Sequence, residues 1–215
     1  MASPLLTKHE ALKLHEFYKI RAMANSINKI LLASHNKGKI AQLHAMLNPL
    51  GFEVVSADEV NLPETVEDQT TFKGNAEKKA YEAFLATGIP ALADDSGLCV
   101  DALDGKPGVF TARYSRTYER LLTEIAHVPS EQRQAHFICV LALVLPNQPT
   151  IFFEGRMDGT ITQEPRGQSG FGYDPVFVPE SHTKTFAEMP DEDRNVLSHR
   201  GRAFQQLYTY LKHHG

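Results

Sequence analysis

The segment Pro90-Ala-Leu-Ala-Asp-Asp-Ser-Gly97 constrains this chain more tightly than any other. Ala91-Leu-Ala93 is a short apolar run of the kind that forms a buried strand, and it delivers two adjacent carboxylates, Asp94 and Asp95, into a Ser-Gly pair that reads as a turn. Buried charge is costly unless it is paired, so any fold that keeps this segment must set the acids against cations or at a solvated cleft. Glycine at position 97 lets the backbone turn sharply and lets a ligand come close. Paired hard oxygen donors at such a place suit a divalent cation and a phosphorylated molecule. Side chains that merely cap nearby N–H groups of a turn use the same residue types.

Around this segment, strand-like and helix-like patterns alternate. Ile30–Ala33 is an apolar strand, residues 38–47 carry helical spacing at Ile40, Leu43 and Leu47 up to Asn48-Pro49, and Phe52–Ser56 is a second strand. That order is a βαβ unit, with parallel pairing. Thr71–Ala86 is predicted helical with Phe72, Ala76, Ala80 and Phe84 on one face, and Tyr118–Ala126 is a further helix. Phe137–Leu145 and Thr150–Glu154 are β-rich runs separated by Pro146-Asn-Gln-Pro149, which predicts an antiparallel hairpin, and Gly159–Thr162 reads as a further strand. Ser198–Leu211 is the closing helix. The fold class is α/β: an elongated two-lobed fold with a central mixed β-sheet flanked by helices, in a single domain over residues 23–215. Residues 1–22 read as an N-terminal extension, helical or disordered, with Leu5, Leu6, Leu12, Leu14, Phe17 and Ile20 partly in helical register and Met23 as an alternative start.

Composition removes several function classes. A formal net charge of -4 supplies no electrostatic case for nucleic-acid binding, so any anion site must be built locally from a few lysines and backbone N–H groups. No apolar run approaches the roughly 18 residues of a membrane span. Cys99 and Cys139 lie in apolar surroundings and match no zinc spacing, which predicts buried thiols and a reducing, cytoplasmic setting.

Several segments could carry chemistry. Ser34-His35-Asn36-Lys37-Gly38-Lys39 sits between a strand and a helix start, where free N–H groups and two lysines would cradle phosphate; a capped helix with solvated lysines has the same composition. Its spacing is not that of a Walker A loop. Glu67 and Asp95 are candidate metal ligands, with Asp94 as a third, because magnesium typically takes one or two carboxylates plus substrate phosphates. Lys79 follows Asn75 by one helical turn and shares its face. Ser169–Pro175 sets Phe171 and Tyr173 among glycines, as a base-stacking platform or a hydrophobic turn would. Ser198-His199-Arg200 opens a helix, with Ser198 as hydrogen-bond donor or plain N-cap.

Together these segments resemble the Ham1/RdgB-type inosine triphosphate pyrophosphatase family, the dITP/XTP pyrophosphatases. The resemblance rests on Ser34–Lys39, Thr71-Phe-Lys-Gly-Asn75 with Lys79, Ala93–Leu98, Gly105-Lys-Pro-Gly108 with Ala112-Arg-Tyr114, Gly170–Pro175 and Ser198–Arg200, in the family's order across roughly residues 28–212. It implies hydrolysis of ITP, dITP and XTP to the monophosphate and pyrophosphate, with Mg2+ (or Mn2+) as cofactor and a homodimer as the assembly. By position, Asp95 would be catalytic and, with Glu67, a metal ligand. Ser34 to Lys39, Asn75, Lys79 and Ser96 would hold the phosphates, and Phe171, Gly172, Tyr173, Asp174, His199 and Arg200 would surround the base. Arg194 stands where the family usually has a substrate-contacting lysine. A pyrophosphatase of other base preference, or a non-catalytic nucleotide-binding protein, would share much of this sequence.

Overall fold

A computed structural model describes residues 28–115 and 117–214, apart from the side chains of Lys37, Gln42 and His214. The expected extension 1–22 and the Met23 start lie outside the described residues. The chain order is β1 (Lys29–Leu32), α1 (Lys37–Leu47), β2 (Glu53–Ser56), α2 (Phe72–Thr87), β3 (Ala91–Val100), β4 (Lys106–Pro107), α3 (Thr111–Tyr114), α4 (Glu119–Glu124), β5 (Gln134–Val144), β6 (Ile151–Ile161), β7 (Phe177–Pro179), α5 (Asp191–Leu197) and α6 (His199–His214). Among the described residues no helix is long and apolar enough to cross a membrane.

The strands form one mixed sheet in the order β2-β1-β3-β5-β6-β7, with β4 beside β3. β1 is parallel to both β2 and β3, as the βαβ pattern predicts, whereas β3, β5, β6 and β7 run antiparallel in sequence. β3 belongs to both halves. Along one edge it pairs with β5 over its whole length, from Ala91 opposite Val144 to Val100 opposite Ala135. Along the other edge β1 pairs only at Ala91 and Leu92, and β4 only at Cys99 and Val100. Between them the edge carries no strand among the described residues, so the sheet has a notch at the centre of β3.

This corrects the expected turn at Asp94-Asp95-Ser96-Gly97: the strand runs straight through. The tripeptide before the acids is too short to show it, because the decisive partner is β5, more than forty residues on. Of the expected strand Gly159–Thr162, Gly159–Ile161 likewise forms the far end of β6, not a separate strand, and α5 was not anticipated.

Helices cover the sheet where its side chains are apolar. On one face α1 and α6 bury Leu43, Leu47, Phe204, Leu207 and Leu211 against Ile30, Leu32, Leu92, Leu141 and Leu143. On the other, α2 packs through Ala76, Ala80 and Ala83 against Ala91, Ala93, Val140 and Ala142. Those small side chains, one and two turns apart, bring the α2 axis close to the strands. The helix is bounded by Thr71, whose hydroxyl accepts the Gly74 N–H at 3.0 Å, and by Gly88 in the left-handed conformation. Beyond the notch a third cluster joins Leu98, Phe137, Met157, Phe177 and Phe186, with Phe137 and Phe177 edge to face at 4.7 Å. Each such fully buried apolar side chain contributes on the order of 2–3 kcal/mol relative to exposure.

Candidate active site at the β3 notch

Because side chains alternate along a strand, Asp94 and Asp95 leave β3 on opposite faces. Each meets its own cations. Asp94, fully buried, lies 2.7 Å from the Lys39 ammonium of α1. The Ser96 hydroxyl, two residues on and on the same face, is 3.5 Å from Asp94 and accepts a hydrogen bond from Arg200 of α6 at 3.2 Å. Burial works against ionisation of Asp94, but Lys39, Arg200 and Lys79 outweigh it and hold the carboxyl well below the ordinary range.

On the other face Asp95 accepts a hydrogen bond from the Asn75 amide at 3.1 Å, and its second oxygen accepts the Ser96 N–H at 3.1 Å. Asn75 is itself buried and fixed by the Gln69 N–H at 3.0 Å. Lys79, one turn along α2, places its ammonium 2.7 Å from Glu67 and 3.7 Å from Asp95. Burial raises the proton affinity of Asp95, with Lys79 and Asn75 opposing and Glu67 reinforcing the rise. Burial would lower the Lys79 pKa, yet Asp94, Asp95 and Glu67 together raise it.

Glu67 and Asp95 thus converge on one cation, here the Lys79 ammonium. Their hard oxygens form the donor set that magnesium prefers. Among the described residues no group of three or more His, Cys, Asp or Glu side chains is placed to hold a metal, so a cation here would need further oxygens from a bound phosphate. The loop that carries Glu67 is tethered on both sides: Lys78 donates to the Val66 carbonyl and Arg113 to the Glu67 carbonyl, each at 2.9 Å. Neither residue was assigned a role from sequence, although Arg113 lies within the Ala112-Arg-Tyr114 motif.

The Ser34–Lys39 loop follows β1 to the notch, but its helix N-terminus is not free. Asn36 caps α1, its side-chain oxygen accepting the Gly38 and Lys39 N–H groups at 3.0 and 3.2 Å, and the Ser34 hydroxyl accepts the Asn36 N–H at 3.2 Å. The loop therefore shows the helix cap that the sequence also allowed, with Lys39 directed to Asp94. His35 pairs with Asp58 at 2.8 Å. The Lys37 side chain lies outside the described residues.

A second group lies beyond Arg200, whose charge acts on both Asp94 and Asp174. The loop Ser169–Tyr173 winds around the Asp174 carboxylate, which accepts the Phe171 N–H at 3.0 Å. Gly170 and Gly172 both have positive φ, and a Cβ on Gly170 would lie 2.2 Å from an Asp174 oxygen, so glycine is required there. Phe171 is 70% exposed, whereas Tyr173 is 5% exposed and packs in the upper core. Of the two aromatics expected in a stacking platform only Phe171 is exposed; Tyr173 is buried as a hydrophobic-turn residue would be, with burial raising its phenol pKa to about 12.

His199 stacks on Phe137 at 4.7 Å, with rings 10° from parallel, and burial pushes its imidazole well below the ordinary range. Its Nδ1 is buried without a hydrogen-bond partner among the described residues. Ser198 accepts the Gly201 N–H at 3.2 Å as a cap for α6. What the sequence reading overlooked is Gly155 of β6, where an added Cβ would lie 1.9 Å from the His199 carbonyl oxygen. An isolated glycine within a strand pattern is the signal for such a close backbone approach.

Comparison with known proteins agrees with this architecture. The sequence matches the Ham1 family over residues 30–210. It is 45% identical over 200 residues to a dITP/XTP pyrophosphatase of Mesorhizobium japonicum, covering 83% of this chain and 91% of that protein. It is 46% identical over 193 residues to a dITP/XTP pyrophosphatase of Geobacter sulfurreducens, covering 86% and 97%. The structure superposes on a HAM1 protein from Coxiella burnetii with a TM-score of 0.81 at 39% identity, covering 86% of this chain and 98% of that one. With a Mycobacterium abscessus dITP/XTP pyrophosphatase the TM-score is 0.71 at 43% identity, covering 83% and 98%. A mixed sheet notched at a two-faced acid pair, matched over nearly all of the described residues, places this chain in the Ham1 family.

Proposed function

We propose that this protein hydrolyses the aberrant purine nucleoside triphosphates ITP, dITP and XTP to the monophosphate and pyrophosphate, cleansing the nucleotide pool. The observation that carries the reading is the notch itself. It sets Asp95, Glu67, Asn75 and Lys79 on one face of β3 and Asp94, Lys39, Ser96 and Arg200 on the other, with Phe171 exposed beyond. The names of the relatives, dITP/XTP pyrophosphatases, support two of these substrates, dITP and XTP.

In this reading the polyphosphate lies across the notch, where Lys39 and Lys79 neutralise its charge and steady the pyrophosphate leaving group. Water attacks the α-phosphorus as the bond to the bridging oxygen breaks, and Asp95, oriented by Asn75, accepts the proton. Glu67 and Asp95 would hold Mg2+, which supplies charge neutralisation at the phosphates and lowers the pKa of bound water. Arg200 and His199 would face the base in this reading. A donor facing the 6-oxo group of hypoxanthine or xanthine would meet another donor on adenine, a mismatch that can discriminate by about 10⁴.

The experiment is a substrate panel: pyrophosphate release from ITP, XTP, GTP, ATP and dUTP with Mg2+. Preference for ITP and XTP is expected, and equal rates on ATP and ITP would sink the assignment. We infer a homodimer in the cytoplasm, in keeping with two free cysteines, both buried. Sedimentation velocity showing a monomer at micromolar concentration would overturn the dimer.

A further inference from the structure

Arg194 is the residue at which the chain departs from the lysine that the family resemblance leads one to expect, and its surroundings give it a different task. Its guanidinium spreads over three partners from its place on α5. Nη1 donates to the Ser169 hydroxyl at 3.2 Å, Nη2 pairs with Asp191 at 2.9 Å, and Nε lies 3.8 Å from Asp174. The side chains of Arg194 and Asp174 are both nearly buried, at 13% and 12% exposed, whereas that of Asp191 is 73% exposed and so contributes little. Ser169 and Asp174 bracket the glycine loop that carries Phe171. Asp174 holds the Phe171 N–H, and Ser169 is anchored in turn to the Ala187 carbonyl at 3.0 Å through its hydroxyl.

We propose that Arg194 is a positioning residue, a latch that fixes the Ser169–Asp174 loop so that the exposed Phe171 ring is held as a preformed stacking face for the purine. The planar fork of a guanidinium presents separate N–H groups to Ser169 and Asp174 in fixed directions, whereas the rotatable donors of a compact ammonium on a flexible stem impose no such geometry. An aromatic ring fixed before binding costs the ligand no ordering free energy on arrival. The purine placement rests on the proposed function; the latch itself rests on the contacts just described.

The chain has no tryptophan, so Phe171→Trp installs a single indole at the loop tip, which can be excited apart from the tyrosines. In that background Arg194→Met is expected to lower the steady-state anisotropy of the introduced indole and increase its quenching by acrylamide. In the otherwise wild-type background the same change is expected to raise KM for ITP by about tenfold with kcat nearly kept. That is the scale of losing one fixed stacking partner through ground-state and transition-state binding alike. Inorganic tripolyphosphate, which has no base, should inhibit Arg194→Met and wild type with the same Ki. Arg194→Lys, which keeps the charge but not the fork, should fall between them in anisotropy and KM. Unchanged indole anisotropy, or a tripolyphosphate Ki that rises in step with KM for ITP, overturns the latch; the latter would make Arg194 a phosphate ligand. If wild type turns over no ITP, the proposed function fails, and the indole anisotropy alone then decides the latch.

Discussion

Gly155→Ala should damage the site without replacing any residue that faces substrate. Gly155 lies in β6 opposite Cys139 of β5, and the first turn of α6 rests directly on its Cα. An alanine Cβ would lie 1.9 Å from the His199 carbonyl oxygen and 2.5 Å from the Ala203 nitrogen, where ordinary contact begins at 3.4 Å. Both obstacles are backbone, so no rotamer change relieves them, and strand and helix must part by up to about 1.5 Å. The helix cannot simply lift, because Arg202 donates to the Arg156 carbonyl at 2.9 Å and Gln206 to the Glu154 carbonyl at 2.6 Å, on either side of the clash. Overpacking against fixed backbone costs about 3 kcal/mol, the upper end of its usual range. For a chain of this size that lowers Tm by roughly 6–12 °C. The moving turn carries His199 and Arg200, and a displacement of about 1 Å at such groups can cost on the order of 100-fold in rate. Thermal melting followed by circular dichroism and kcat/KM for ITP read the two effects separately. A variant that melts within about 2 °C of wild type at full activity would refute the geometric reasoning.

Other outcomes follow from the same contacts. Asp95→Asn should keep the far-ultraviolet spectrum and lose about 10²–10⁴ in turnover; wild-type rates would remove Asp95 from the chemistry. Asp94→Ala leaves Lys39 without its buried partner and should destabilise by about 3 kcal/mol, measured by urea unfolding, since breaking a buried pair costs several kcal/mol and Lys39 is 21% exposed and partly rehydrates. His199 has a depressed folded pKa, so below its unfolded value near 6.5 the unfolded chain takes up a proton that the folded chain refuses. Stability should therefore fall as pH drops from 7.5 to 5.5, by up to about 1.4 kcal/mol per pH unit from this group. His199→Phe should flatten that slope, and equal slopes in the two proteins would contradict it.

The parts of the molecule legible in the sequence are those decided locally. α1 and α2 announce themselves through spacing and caps, and the β1-α1-β2 unit through its alternation. Glu67 and Asp95, picked from separate segments, both lie within 4 Å of the ammonium of Lys79, picked from a third. What could not be read depends on distant partners. Asp94 and Asp95 look like the end of a strand because nothing nearby shows that β5 will carry the pairing past them. Tyr173 looks like a companion to Phe171 until the upper core fills around it, and Asn36 looks available until its side chain turns back on its own helix.

The notch in the sheet also bears on how the protein avoids sticking to others. An open strand edge is a template on which a foreign strand can add, and aggregation commonly starts there. On this edge two of the donors that such a strand would need are already taken. The Ser96 N–H is bound by the Asp95 carboxylate, and the Leu98 N–H by the Thr111 hydroxyl at 3.0 Å. Charged side chains stand on both faces of the gap. Asp95 therefore guards its own strand, and replacing it by an apolar residue should make the protein prone to edge-to-edge association as well as inactive.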